Sequence, residues 1–140
     1  MSVQFFFIIS GVSLSDRKKL KAFIEFIFKN EGKKLLSLTY VFCPDEYLLG
    51  INNDFLRHNF YTDIITFDLS SLSQRIEGEI YISMDRVREN AKVLGLTMKS
   101  ELHRVIFHGA LHLCGYKDKT RNEQALMRSK EDRYLELYFR

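Results

Sequence analysis

The stretch HGALHLCGYKDKT, residues 108–120, sets two histidines four positions apart and follows them with a glycine and an aspartate flanked by lysines. At 3.6 residues per turn, His108 and His112 fall about 40° apart on one helix face, so both imidazoles can converge on one point. Gly115 can adopt the left-handed backbone that ends a helix and turns the chain back, and Asp118 can then swing toward the pair. A catalytic zinc site takes three protein donors and keeps its fourth position open, a requirement that two imidazoles and a carboxylate meet. His108, His112 and Asp118 are therefore the candidate metal ligands. A helical histidine pair that merely packs against the core or lies on the surface is the other reading, and the turn glycine and nearby carboxylate weigh against it.

Outward from this stretch, Thr97 caps a helix that reaches Cys114 and Gly115. Leu102, Val105, Ile106, Gly109 and Leu113 form an apolar stripe beside the histidine face, and Phe107 and Leu111 cover the opposite side. The helix is expected to be buried nearly all round, with its histidines in an enclosed pocket. Cys114 stands about 120° from His108 and reads as a buried thiol remote from the metal. His103, about 140° away, and His58, in a loop, read as packing or surface residues.

Thr120 and Glu123 make a capping box for a last helix ending near Phe139, and Ser83 opens a helix running to Leu94 and Gly95. Upstream, GEIYIS (78–83), TDIITFDL (62–69), LLSLTYVF (35–42) and VQFFFII (3–9) read as strands, the last of them buried, with a polar loop SSLSQRIE between the first two. A short helix is expected around DEYLLGINNDFL after Pro44. Ser13, with Asp16 three residues on, reads as the cap of an amphipathic helix carrying Leu20, Phe23, Ile24 and Ile27 and stopped by Gly32. These elements define a layered α+β domain over residues 1–140: a mixed sheet of about four strands, one face covered by helices, with a zincin-like central helix bearing the histidine pair.

Composition agrees with a compact fold. The chain is 46% hydrophobic, with twelve Phe and seven Tyr against one Pro and no Trp. Two cysteines in apolar surroundings, and a start lacking the basic region and cleavage site of a signal peptide, point to a reducing cytoplasm. No apolar run approaches the ~20 residues that span a bilayer, so no membrane partner is expected. Net charge is +3 but unevenly spread: +4 over residues 1–34, −6 over 35–85 and +5 over 86–140. Basic ends are compatible with nucleic acid, and equally with a solvated charged face.

The stretch HGALHLCGYKDK resembles the YbeY family of metal-dependent endoribonucleases, whose pattern reads His-Gly-x-Leu-His-Leu-x-Gly-Tyr-Asp-His. INNDFL followed by YTDIITFDL, then GEIYIS and ALMRSKED, resemble further segments of that family in order and spacing, from about Ile51 to Glu131. The resemblance implies a single zinc ion and cleavage of single-stranded RNA, in maturation of the 3′ end of small-subunit ribosomal RNA and in ribosome quality control. Ribosomal RNA and the ribosome are the implied partners, with no DNA substrate. Two departures stand out. The family's third ligand histidine is Asp118 here, a harder donor that is expected to hold zinc less tightly. The family's arginine falls on Leu56, with Arg57 one position late, a rotation of about 100° on a helix.

Lys117 and Lys119, which flank Asp118, and Arg57 are the candidate phosphate contacts; the other reading of the lysines is a pair of solvated turn residues. One alternative is a zinc peptidase, but its general-base glutamate after the first histidine is replaced here by Gly109. The other is an RNA- or ribosome-binding protein with a structural or lost metal. Structural zinc is usually closed by four protein ligands, and only three are found here.

Overall fold

The computed structural model describes residues 2–56, 61–71 and 74–140. Alternating residues build its sheet. In β1 (Val3–Phe7), Val3, Phe5 and Phe7 turn inward while Phe6 is 55% exposed. β2 (Lys34–Cys43) and β4 (Arg75–Ser83) send Leu38, Tyr40, Phe42, Ile80 and Ile82 to the same side. With β3 (Ile64–Asp68), the strand order is β1-β2-β4-β3. β1, β2 and β4 run parallel, and β3 runs antiparallel to β4, pairing Ile64 with Ile82 and Asp68 with Gly78.

The expected α+β class and four-stranded mixed sheet are thus found, with local differences. β1 is an edge strand and half-buried, with Gln4 and Phe6 of its second face exposed. β4 starts at Arg75, inside the expected polar loop, since Arg75, Glu77 and Glu79 alternate with Ile76, Gly78 and Ile80 and the strand pairs with β2 from Lys34 onward.

Among the described residues five helices complete the fold: α1 (Arg17–Asn30), α2 (Asp45–Leu56), α3 (Met84–Leu94), α4 (Met98–Leu113) and α5 (Arg121–Tyr138). α1 is not capped by Ser13; Asp16, in the left-handed region at φ 56°, precedes its first residue and makes no side-chain cap. Aspartate tolerates that conformation better than most residues, so a turn starts the helix there. The Ser83, Thr97 and Thr120 caps form as read, and Thr120 and Glu123 bond reciprocally. The main core lies between the sheet and helices α1, α3, α4 and α5. Helices do not cover one face alone: Leu48 and Ile51 of α2 pack on Cys43, Ile65, Phe67 and Tyr81 of the other. Among the described residues no helix is long and apolar enough to cross a membrane.

One close approach sets the site. A Cβ on Gly109 would meet Ile80 Cδ1 at 2.8 Å and Ile64 Cδ1 at 3.1 Å. Only a bare backbone lets α4 lie this near β3 and β4. His108 and His112, on the neighbouring face of α4, are thereby set along the β3 edge of the sheet.

Candidate active site

α4 ends in a Schellman turn. The Tyr116 N–H donates to Leu111 O at 3.1 Å and the Gly115 N–H to His112 O at 3.0 Å, with Gly115 at φ 108°. The turn brings the Tyr116 carbonyl back over the helix, where His112 Nδ1 meets it at 2.8 Å. A carbonyl can only accept, so Nδ1 carries the proton and the His112 Nε2 lone pair is left facing outward.

His108 is oriented from another direction. Its Nδ1 lies 2.6 Å from Glu131 Oε2 on α5. Glu131 is 2% exposed. Burial pushes its carboxyl up, but the His108 hydrogen bond and the Arg104 guanidinium outweigh that and hold it below the ordinary range. Glu131 is therefore an ionised acceptor, and His108 Nδ1 is the donor. Arg104 joins the set, reaching Glu131 at 3.1 Å and Glu101 twice, at 2.8 and 2.5 Å. Burial lowers the Arg104 pKa and its two carboxylates raise it by more, so the charge is fixed.

With Nδ1 of His108 committed to Glu131, its Nε2 faces Asp118 Oδ2 at 3.2 Å. A lone pair and a carboxylate oxygen at that distance repel unless a proton or a cation lies between them. The His108 and His112 rings are nearly parallel, 18° apart, with centroids 6.1 Å apart. Among the described residues no three His, Cys, Asp or Glu side chains are already closed around one point, so His112 would have to turn in toward the other two.

These residues share a cavity of about 390 Å³ with Thr62, Asp63, Thr66 and Arg104. It is a cleft, not the enclosed pocket expected: among the described residues His112, on the last turn of α4, is left exposed. Burial pushes the Asp63 carboxyl up, and the charges of Arg104 and His108 only partly offset it.

The other sequence candidates that the structure describes are placed apart from the cleft. Lys117 and Lys119 are exposed and line neither this cavity nor its neighbour. Arg57 and His58 lie outside the described residues, and Leu56 ends α2 on an exposed face. His103 is a packing residue, with Nδ1 on Lys99 O and its ring against Tyr138. Cys114 is buried and its thiol is pushed up to about 12.

Sequence reasoning missed the role of Glu131, together with Glu101, Arg104 and Asp63. A signal existed for Glu131. It shares helical phase with Met127, Tyr134 and Tyr138, an acid in an apolar stripe, which marks a buried and paired charge.

Known proteins with this sequence pattern are nucleases that cut RNA. The profile of the family described as Endoribonuclease YbeY matches residues 11–138. An endoribonuclease YbeY of Cytophaga hutchinsonii is 53% identical over 124 residues, 89% of this chain and 87% of that protein. One from Porphyromonas gingivalis is 46% identical over 131 residues, 92% and 86% of the two chains. The solution structure of TM1509 from Thermotoga maritima superposes with a TM-score of 0.67 at 26% identity, covering 98% of this chain and 89% of that one. The chain belongs to the endoribonuclease YbeY family, and with it to the hydrolytic enzymes.

Proposed function

We propose that the chain is a zinc-dependent endoribonuclease for single-stranded RNA, with His108, His112 and Asp118 holding one zinc ion. The observation that carries this is the 3.2 Å approach of His108 Nε2 to Asp118 Oδ2 while Nδ1 of the same ring is committed to Glu131. Two donors on a tetrahedral ion with bonds of ~2.0–2.1 Å stand ~3.3 Å apart, so the pair fits a shared cation. The second nitrogen of each ring is bonded to a carboxylate or a backbone carbonyl, the usual outer partners of zinc-bound histidine.

Zinc held there supplies Lewis acidity toward a phosphoryl oxygen. The rest is done by the chain itself. Glu131 and the Tyr116 carbonyl hold the two imidazoles in one tautomer and orientation. Asp63, facing the same cavity, is the carboxyl available to hold a proton beside the scissile phosphate. The peptidase alternative loses support, because the position after the first histidine, Gly109, faces Ile80 and Ile64 in the core and has no room for a general base.

The resemblance to the family supports the finer reading: maturation of the 3′ end of small-subunit ribosomal RNA and quality control of ribosomes, in the cytoplasm. The test is metal analysis of the purified protein, paired with cleavage of a single-stranded RNA with and without chelator. Asp118→Ala should lower zinc content and cleavage together, and Asp118→His should restore or strengthen both. Chelator-insensitive cleavage would refute the zinc assignment, and a zinc-loaded protein that leaves RNA intact would refute the nuclease assignment.

A further inference from the structure

A second cavity of about 520 Å³ shares Arg104, His108 and Asp118 with the first, and its far wall is Arg121, Gln124 and Arg128 of α5. His108 and Asp118 are thus the partition between two troughs, one floored by β3 and the other by α5. Their chemistry differs. The β3 side adds Asp63, Thr62 and Thr66 and, among the described residues, no cation of its own. The α5 side adds two guanidinium groups.

Those two charges are at most weakly paired among the described residues. Among the described residues Arg121 has no ion-pair partner. Arg128 comes no closer than 3.9 Å to Glu131, a carboxylate already bonded to Arg104 at 3.1 Å and His108 at 2.6 Å, and its side chain is 54% exposed. Arg104, by contrast, is spent on Glu101 and Glu131 and cannot serve as a phosphate clamp. Arg121 and Arg128 are seven residues apart, so they lie within about 20° of each other on α5 and about 10 Å apart along it, with Gln124 between. A row of this kind, opening on the candidate reacting atoms, suits a phosphodiester backbone, since guanidinium binds phosphate oxygens in a bidentate fork.

We infer that Arg121 and Arg128 form a phosphate rail for single-stranded RNA, so that the strand enters or leaves the cleft along α5 and its nucleoside on the other side of the cut lies against β3. The inference rests on the endoribonuclease reading and assigns the phosphate contacts to α5 instead of Lys117 and Lys119.

The experiment is fluorescence anisotropy of a labelled single-stranded oligoribonucleotide, in chelator, over a salt series. The proteins are the unsubstituted chain, Arg121→Gln, Arg128→Gln, their double variant, the two Arg→Lys variants, and a Lys117→Gln/Lys119→Gln double. Each arginine removed should flatten the slope of log affinity against log salt by ~0.7, and the arginine pair by ~1.4. The Arg→Lys variants should keep the slope, because lysine keeps the charge. Thermal midpoints and zinc content should stay unchanged in all of them. An unchanged slope in the arginine double, or a slope lost only in the lysine double, would overturn the rail. Salt-sensitive binding that depends on the arginines, in a protein that never cuts RNA, would uphold the rail while removing the nuclease reading. No RNA binding by the unsubstituted chain would remove both.

Discussion

Removing the Glu131 carboxylate should weaken zinc binding more than its effect on folding would suggest, because three charged or polar groups meet there. The carboxylate is 2% exposed and takes His108 Nδ1 at 2.6 Å and Arg104 at 3.1 Å. In Glu131→Ala, Arg104 keeps its two bonds to Glu101, at 2.8 and 2.5 Å, so the guanidinium is not orphaned. Breaking a buried charged network by removing one partner costs ~3–5 kcal/mol, and the surviving Glu101 fork holds the loss to the lower end, ~3 kcal/mol. For a domain of this size that lowers the melting temperature by about 10 °C. Glu131→Gln keeps the volume and one acceptor, but its amide turns an N–H toward either His108 or Arg104, so one contact survives and the loss is ~1–3 kcal/mol. The second consequence is at His108, whose ring loses its orienting acceptor. Zinc affinity should fall ~10–100-fold, equivalent to ~1.4–2.7 kcal/mol. The assay is competition for zinc with a chromophoric chelator, beside melts of the metal-free proteins. A Glu131→Ala protein that melts about 10 °C lower yet binds zinc like the unsubstituted chain would refute the orienting role.

Tyr116→Phe removes the hydroxyl that donates to Glu31 Oε1 at 2.6 Å, and should cost ~0.5–1.5 kcal/mol in chemical denaturation; an unaltered midpoint would show that this tie contributes nothing. Burial pushes the Glu31 carboxyl up, but hydrogen bonds from Tyr116 and Tyr134 and the Lys130 charge hold it below the ordinary range. Its stabilisation is therefore present above ~4.3, the ordinary glutamate value, and is lost as pH falls through the lower folded value. Glu31→Gln should flatten that acid limb of a stability-versus-pH curve, and an equally steep limb would count against the assignment. Gly109→Ala should destabilise despite a helix-propensity gain of ~1 kcal/mol, because its methyl would stand 2.8 Å from Ile80 Cδ1; a raised melting temperature would show that α4 has slack. Cys114, buried with its thiol pushed up to about 12, should react with a thiol reagent at neutral pH only as the protein unfolds, and rapid labelling of the native state would contradict that burial.

What the sequence made legible was local. The Ser83, Thr97 and Thr120 caps, the helical phase of His108 and His112 and the turn at Gly115 are each decided within a few residues, and each took the expected form. What stayed hidden depends on distant partners. The bond between His108 and Glu131 spans 23 positions, and the one between Arg104 and Glu131 spans 27. Periodicity shows which face a residue occupies, not which element arrives opposite it, so α2 on the second face of the sheet and the strand order could not be read either. Lys117 and Lys119 seemed near the site because they flank Asp118, but a side chain's neighbour in sequence can point to solvent, and both do.

The 23-residue span between His108 and Glu131 also orders events during synthesis. Chains emerge from their N-terminus and fold as segments become available. Strands, α4 and both histidines are therefore made before the carboxylate that fixes the first of those rings. Until α5 docks, neither Glu131 nor the arginines along that helix are in place, and the imidazoles stand beside an incomplete cleft. Because Met127, Tyr134 and Tyr138 of the same helix close the main core, the step that finishes the packing is also the step that fixes the first imidazole, and a chain lacking its last helix would lose both together.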